Sequence, residues 1–167
     1  ETQLIVALDL DTMEEASQIV SQLSSEVGWF KIGKELFTAA GPSSVDRFRC
    51  FTDGIFLDLK FHDIPNTVVR AISAVSDLGV FMLNVHASGG GVMLRAVSNT
   101  IANMGSDRPL VVGVTVLTSL DENDLQTVGQ NGPILSQVGR LAFLTQTSGL
   151  DGVVCSPSEI TNLREIC

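Results

Sequence analysis

The sequence predicts an α/β fold, a (β/α)8-type barrel of which about the first six β/α units are present, and three observations carry that prediction. Short apolar runs recur about every 25 to 40 residues with helical segments between them. The runs, residues 4–8, 29–32, 55–59, 80–85, 110–117 and 152–155, are almost continuously apolar, as expected of parallel strands covered on both faces. A polar group stands at the C-terminal end of each: Asp9, Lys31, Asp58 with Lys60, His86, Thr118 and Ser156. The β/α alternation and its right-handed crossovers admit a doubly wound sheet or a barrel. A doubly wound sheet gathers its ligand groups at one switch point, whereas a barrel uses every strand end, and the distribution here favours the barrel.

The helical segments follow in order. Asp11 or Thr12 caps a first helix with Glu14 and Glu15 in its opening turn and Ile19, Val20 and Leu23 on its inner face. Asn66 or Thr67 precedes a second, with Ala71, Ile72, Val75 and Leu78 inward and Gly79 at its end. Pro133 opens a third through Leu135, Val138, Leu141 and Leu144 toward Gly149, and Pro157 begins the last.

A chain of 167 residues, 44% hydrophobic, is expected to form one domain over residues 1–167. Mean hydropathy is +0.31, but no apolar run approaches the roughly 20 residues that cross a bilayer, so a membrane partner is not expected. Residues 1–10 lack a basic segment followed by an apolar one, so no signal peptide is expected. The net charge of -9 argues against nucleic acid as a partner. Positive charge is unevenly placed: all three lysines, Lys31, Lys34 and Lys60, stand at or just after two strand ends. Cys50, Cys155 and Cys167 are odd in number and have neither metal-ligand nor redox spacing. They are expected to be reduced thiols of a cytoplasmic protein, with Cys50 and Cys155 filling the core.

The densest chemistry lies in residues 58–67, Asp58-Leu59-Lys60-Phe61-His62-Asp63-Ile64-Pro65-Asn66-Thr67. Strand alternation puts Asp58 and Lys60 on one face and Leu57, Leu59 and Phe61 on the other; Asp63 follows in the turn and Pro65 ends the strand. Paired charges at the end of an apolar strand suit a tuned acid or base, and equally suit a structural ion pair. His62 is expected to brace a loop, and His86 to line the cavity or to bond a neighbour. Ser88-Gly89-Gly90-Gly91 reads more readily as a tight loop than as a phosphate cradle. No Gly-x-Gly-x-x-Gly follows the first strand and no metal-ligand spacing occurs, so neither a dinucleotide cofactor nor a metal is expected.

These residues, with Ala7-Leu8-Asp9, the run Phe30-Lys31-Ile32-Gly33-Lys34-Glu35-Leu36-Phe37, Asn84-Val85-His86-Ala87-Ser88-Gly89-Gly90, Val114-Thr115-Val116-Leu117-Thr118-Ser119 and Leu150-Asp151-Gly152-Val153-Val154-Cys155-Ser156, closely resemble bacterial orotidine 5'-phosphate decarboxylase, a TIM (β/α)8-type barrel enzyme. An isolated Asp-x-Lys-x-x-Asp would also fit sugar-phosphate decarboxylases and synthases on the same barrel; the continuation through Thr67 is more specific. The resemblance implies cofactor-free decarboxylation of a nucleotide in pyrimidine biosynthesis. Lys60 corresponds to the general acid, and Asp58 and Asp63 to the carboxylates flanking it. It implies a homodimer in which Asp63 reaches the partner's site. Asp9 and Lys31 match residues that bind ribose hydroxyls, Thr118 matches a substrate-binding threonine, and residues 58–67 match the substrate-contact segment.

The chemistry agrees with that implication. An ammonium between two carboxylates is held in its charged form, from which it can deliver a proton. In the family, two further strands carry the residues that grip the substrate phosphate, which leads to the expectation that this 167-residue form alone is inactive or nearly so. A truncated, non-catalytic barrel fragment is the alternative.

Overall fold

The computed structural model describes residues 4–52 and 54–167. Six parallel strands lie in one sheet in sequential order, β1-β2-β3-β4-β5-β6: β1 Ile5–Ala7, β2 Trp29–Gly33, β3 Gly54–Phe61, β4 Met82–His86, β5 Leu110–Val114 and β6 Gly152–Val154. Sequential order settles the choice left open by the strand pattern, because a doubly wound sheet reverses direction part-way and this one does not. The described residues form an open segment of a barrel, with β1 and β6 each paired on one side only.

The helices are α1 Met13–Leu23, α2 Lys34–Ala40, α3 Ser43–Phe48, α4 Pro65–Ser76, α5 Gly90–Ala102, α6 Glu122–Thr127, α7 Ile134–Thr147 and α8 Ile160–Ile166. Thr12, not Asp11, caps α1 by accepting the Glu15 N–H. Helix α4 starts at Pro65, so Asn66 and Thr67 lie inside its first turn; proline needs no donor there, and its fixed φ starts the helix earlier than an Asn or Thr cap would. Helix α7 follows Pro133 as expected, with Val138 and Leu141 buried, but Leu135 is 45% exposed.

One face of the sheet is sealed by helices. Phe30, Ile32, Leu57, Leu83, Val85 and Val111 are all 0% exposed, and Ala16, Val20, Val68, Ile72, Met93 and Val97 come down on the same cluster. The opposite face carries Lys31, Phe56, Asp58, Met82, Asn84 and Val112, aligned by register. Coverage of both faces is therefore incomplete: β1 and β6 have no fully buried residue. A smaller cluster of Val138, Ala142 and Leu163 holds α7 and α8 against β6 beside a groove of about 480 Å3.

Two further expectations change. The fifth strand stops at Val114 and not at residue 117, because the Thr115 hydroxyl donates to the Val154 carbonyl at 2.9 Å and the ladder with the short β6 ends there. Cys50 falls in a 3-10 turn after α3 and is exposed, so it fills no core; Cys155 is half-buried, and all three cysteines are free.

Candidate active site

The C-terminal strand ends bring Asp9, Lys31, Asp58 and Lys60 together. Parallel register sets Ala7 beside Lys31 and Gly33 beside Asp58, so residues distant in sequence arrive on one rim. Lys31 Nζ donates to Asp9 Oδ1 at 2.8 Å and lies 3.2 Å from Asp58 Oδ2; Lys60 Nζ donates to Asp58 Oδ1 at 2.6 Å. The result is a row alternating in sign, Asp9, Lys31, Asp58, Lys60. Its centre is enclosed, the Asp58 side chain being 10% exposed, while Asp9 at the outer end is 61% exposed.

Burial alone would raise the Asp58 pKa. The hydrogen bonds from Lys60 and Asn84 and the charges of Lys31 and Lys60 outweigh it and hold the carboxyl below its ordinary value. Lys31 shows the mirror image: burial opposes its charge, but Asp9 and Asp58 raise its pKa above the usual lysine value. Gly33 makes room for this row, since a Cβ there would stand 3.0 Å from Asp9 Oδ1 and 3.4 Å from Lys31 Nζ.

The strand carrying Asp58 and Lys60 is not regular. Leu57 pairs with Leu83 and Phe61 with Val85, so Asp58, Leu59 and Lys60 together stand opposite the single residue Asn84. The bulge turns Lys60 to φ 51°, making it the one non-glycine residue of positive φ among those described. The two charges meet on one side of the strand, as alternation predicts, while Leu57, Leu59 and Phe61 pack on the other; the bulge adds a backbone turn at Lys60 that alternation does not predict. Asn84 is buried, accepts the Lys60 N–H at 2.7 Å and donates to Asp58 Oδ1 at 2.6 Å. In the sequence Asn84 stands out only within the Asn84-to-Gly90 motif; its own signal is a polar residue between Leu83 and Val85 on an apolar strand.

The remaining site candidates spread outward. Leu59 and Phe61 pack against the core from the other face. Asp63 is exposed and accepts the Ile64 N–H at 2.6 Å; no ion pair joins it to Lys60 in this single chain. Ile64 is 67% exposed, and Pro65, Asn66 and Thr67 open α4. His62 is exposed, its ring 5.4 Å from that of His86. Burial, followed by the His62, Lys34 and Lys60 charges, lowers the His86 pKa and favours the neutral ring. Thr118 lies in the turn beyond β5, exposed and away from the ionic row's contacts. Ala87–Gly89 form a 3-10 turn and Gly90 and Gly91 open α5, so only the first part of the expected loop is non-α; Gly90 has φ 86°, and Gly89 lies so close to Met93 that a side chain would collide with its sulfur. Among the described residues no three His, Cys, Asp or Glu side chains converge as a metal site.

An ammonium locked to a buried carboxylate, next to a second ammonium and an exposed acid, can bind a polar ligand and pass a proton to it. Residues 2–167 match the family described as orotidine 5'-phosphate decarboxylase / HUMPS family. The chain belongs to that family. It is 48% identical over 165 residues to the orotidine 5'-phosphate decarboxylase of Actinobacillus succinogenes, covering 99% of this chain and 71% of that protein. The Pasteurella multocida orotidine 5'-phosphate decarboxylase is likewise 48% identical, over 99% of this chain and 71% of its own length. The crystal structure of orotidine 5'-phosphate decarboxylase from Lactobacillus acidophilus superposes with a TM-score of 0.90 at 38% identity, covering 99% of this chain and 76% of that one. A Methanocaldococcus jannaschii structure, at 20% identity and TM-score 0.82, shares the fold. The ionic row stands at the C-terminal side of the strands, the end at which barrels of this kind keep their active sites.

Proposed function

We propose that this member of the orotidine 5'-phosphate decarboxylase family converts orotidine 5'-phosphate to uridine 5'-phosphate in pyrimidine biosynthesis, without a cofactor. The observation that carries the reading is the Asp9, Lys31, Asp58, Lys60 row on the rim of a barrel of that family. In the proposed step the bond between the pyrimidine ring and its carboxylate breaks and carbon dioxide leaves. The electron pair stays on the ring carbon, and the Lys60 ammonium transfers a proton to it. Lys60 then regains a proton from water. Asp58 holds that ammonium in place by a hydrogen bond of 2.6 Å, and the positive end of the row favours negative charge developing on the ring. Asp9 and Lys31 take the ribose hydroxyls, and Thr118 together with residues 58–67 completes the contact surface.

The protein works in the cytoplasm as a homodimer in which Asp63 enters the partner's site; its exposure, and the lack of an ion pair to it among the described residues, support that role. Residues 1–167 belong to one barrel domain, and the grip on the substrate phosphate is supplied by the barrel's remaining units. The test is conversion of orotidylate to uridylate followed by absorbance. Lys60→Ala is expected to lower kcat at least about 100-fold, the usual contribution of a proton donor. Turnover unchanged by Lys60→Ala would overturn the assignment. Turnover by these 167 residues equal to that of a form with eight β/α units would overturn the placement of the phosphate grip.

A further inference from the structure

The geometry points to Asn84 as a positioning residue for Lys60, its carboxamide fixing the backbone turn from which the Lys60 ammonium reaches the substrate. The inference rests on the decarboxylase reading of the site. Asn84 lies in the middle of β4, 1% exposed, as the only residue of that strand facing the three-residue bulge Asp58-Leu59-Lys60. The bulge takes the Lys60 N–H out of the strand ladder, and a donor displaced this way needs another acceptor. Asn84 Oδ1 provides it at 2.7 Å. The other end of the same carboxamide donates to Asp58 Oδ1 at 2.6 Å, the oxygen that also receives Lys60 Nζ. A closed loop of three hydrogen bonds therefore ties down both the backbone and the ammonium of Lys60.

The orientation of the carboxamide is unambiguous, because a backbone N–H can only donate and an ionised Asp58 can only accept. No other side chain of this length supplies both functions without a charge. Aspartate would set a second carboxylate against Asp58, and leucine would leave the Lys60 N–H and the Asp58 oxygen without their partner.

The test uses the full chain labelled with 15N-lysine, whose three lysines give three backbone amide signals. In Asn84→Ala the Lys60 amide is expected to exchange with solvent about 10- to 100-fold faster, while Lys31 and Lys34 keep their rates, and kcat to fall by a similar factor with a smaller change in KM. Asn84→Asp keeps the acceptor for Lys60 but donates to Asp58 only while its new carboxyl is protonated. Its kcat, relative to the parent's, is expected to fall as pH rises through the carboxylate range and above. A Lys60 amide with unaltered exchange in Asn84→Ala overturns the inference. So does an Asn84→Asp enzyme whose kcat loss is the same at every pH. If a parent form with eight β/α units shows no decarboxylation while the exchange result holds, the positioning of Lys60 stands and the decarboxylase reading fails.

Discussion

Lysine in the left-handed region carries a penalty of about 1 to 2 kcal/mol that glycine avoids, a strain that the hydrogen bonds of Lys60 to Asn84 and Asp58 offset. Lys60→Gly would release that strain and still lose the proposed proton donor, so its kcat is expected to be as low as that of Lys60→Ala. Gly33 shows the opposite economy, a missing side chain that leaves the Asp9–Lys31 pair its space. Its φ of -88° suits any residue, so the constraint is contact and not backbone. Gly33→Ala is expected to displace that pair by a few tenths of an ångström, raising KM about 10-fold while the melting temperature changes by less than about 3 °C. Steady-state kinetics alongside a thermal melt separates the two effects.

At the scale of elements, the seam of α7 on β5 leaves no room for a side chain. Gly113 has no side chain where the buried Thr145 crosses it, and any Cβ would overlap the threonine hydroxyl and methyl. Gly113→Val is expected to destabilise the chain by about 2 to 3 kcal/mol, measured as a lowered urea midpoint. The start of β6 is tied differently. Arg108 Nη1 and Nη2 donate to the two Asp151 oxygens at 2.8 and 2.7 Å, and Asp151 Oδ2 also accepts the Val111 N–H at 2.8 Å. The Arg108 hydrogen bond holds the Asp151 pKa below its ordinary value despite burial. A carboxyl whose native pKa is depressed stabilises the fold above its unfolded value, near 3.8, and loses that contribution as pH falls through the native value. With solvent screening the contribution is about 1 kcal/mol. Asp151→Asn is expected to lower stability at pH 7 and to reduce the drop between pH 4 and pH 2, followed by thermal melts.

Most elements were legible because their signals are local. Thr12, Glu14 and Glu15 mark the start of α1, and Pro133 that of α7. The end of β5 was not legible, since residues 110–117 stay apolar past Val114 and the strand stops where its short partner β6 stops. The row of Asp9, Lys31, Asp58 and Lys60 could be read from strand ends, which parallel register brings side by side. The bulge could not: its register shift depends on β4, and period-two alternation has no term for three residues facing one. Cys50 was misplaced because the apolar segment around it belongs to a turn after α3.

For the molecule as a whole, the proposed sharing of sites between subunits makes a quantitative demand. Lys60→Ala and Asp63→Ala proteins are each expected to be nearly inactive. Co-refolded in equal amounts, they should recover up to about a quarter of parental activity, since half the dimers are mixed and each mixed dimer has one intact site. No recovery, with mixed dimers verified by mass, would place Asp63 in its own subunit's site.

The three lysines carry a last consequence. Lys31 lies midway along β2, Lys34 opens α2 directly after that strand and Lys60 sits in the β3 bulge, so all three ε-amines of the chain are carried by the two neighbouring β/α units that also hold Asp58. An acylating reagent aimed at lysine has no other side chain to consume. Acetylation of Lys31 or Lys60 would erase charge from the row, and an anionic ligand seated there is expected to shield those two amines while the exposed Lys34 keeps reacting, so the ratio of labelling becomes a direct gauge of occupancy.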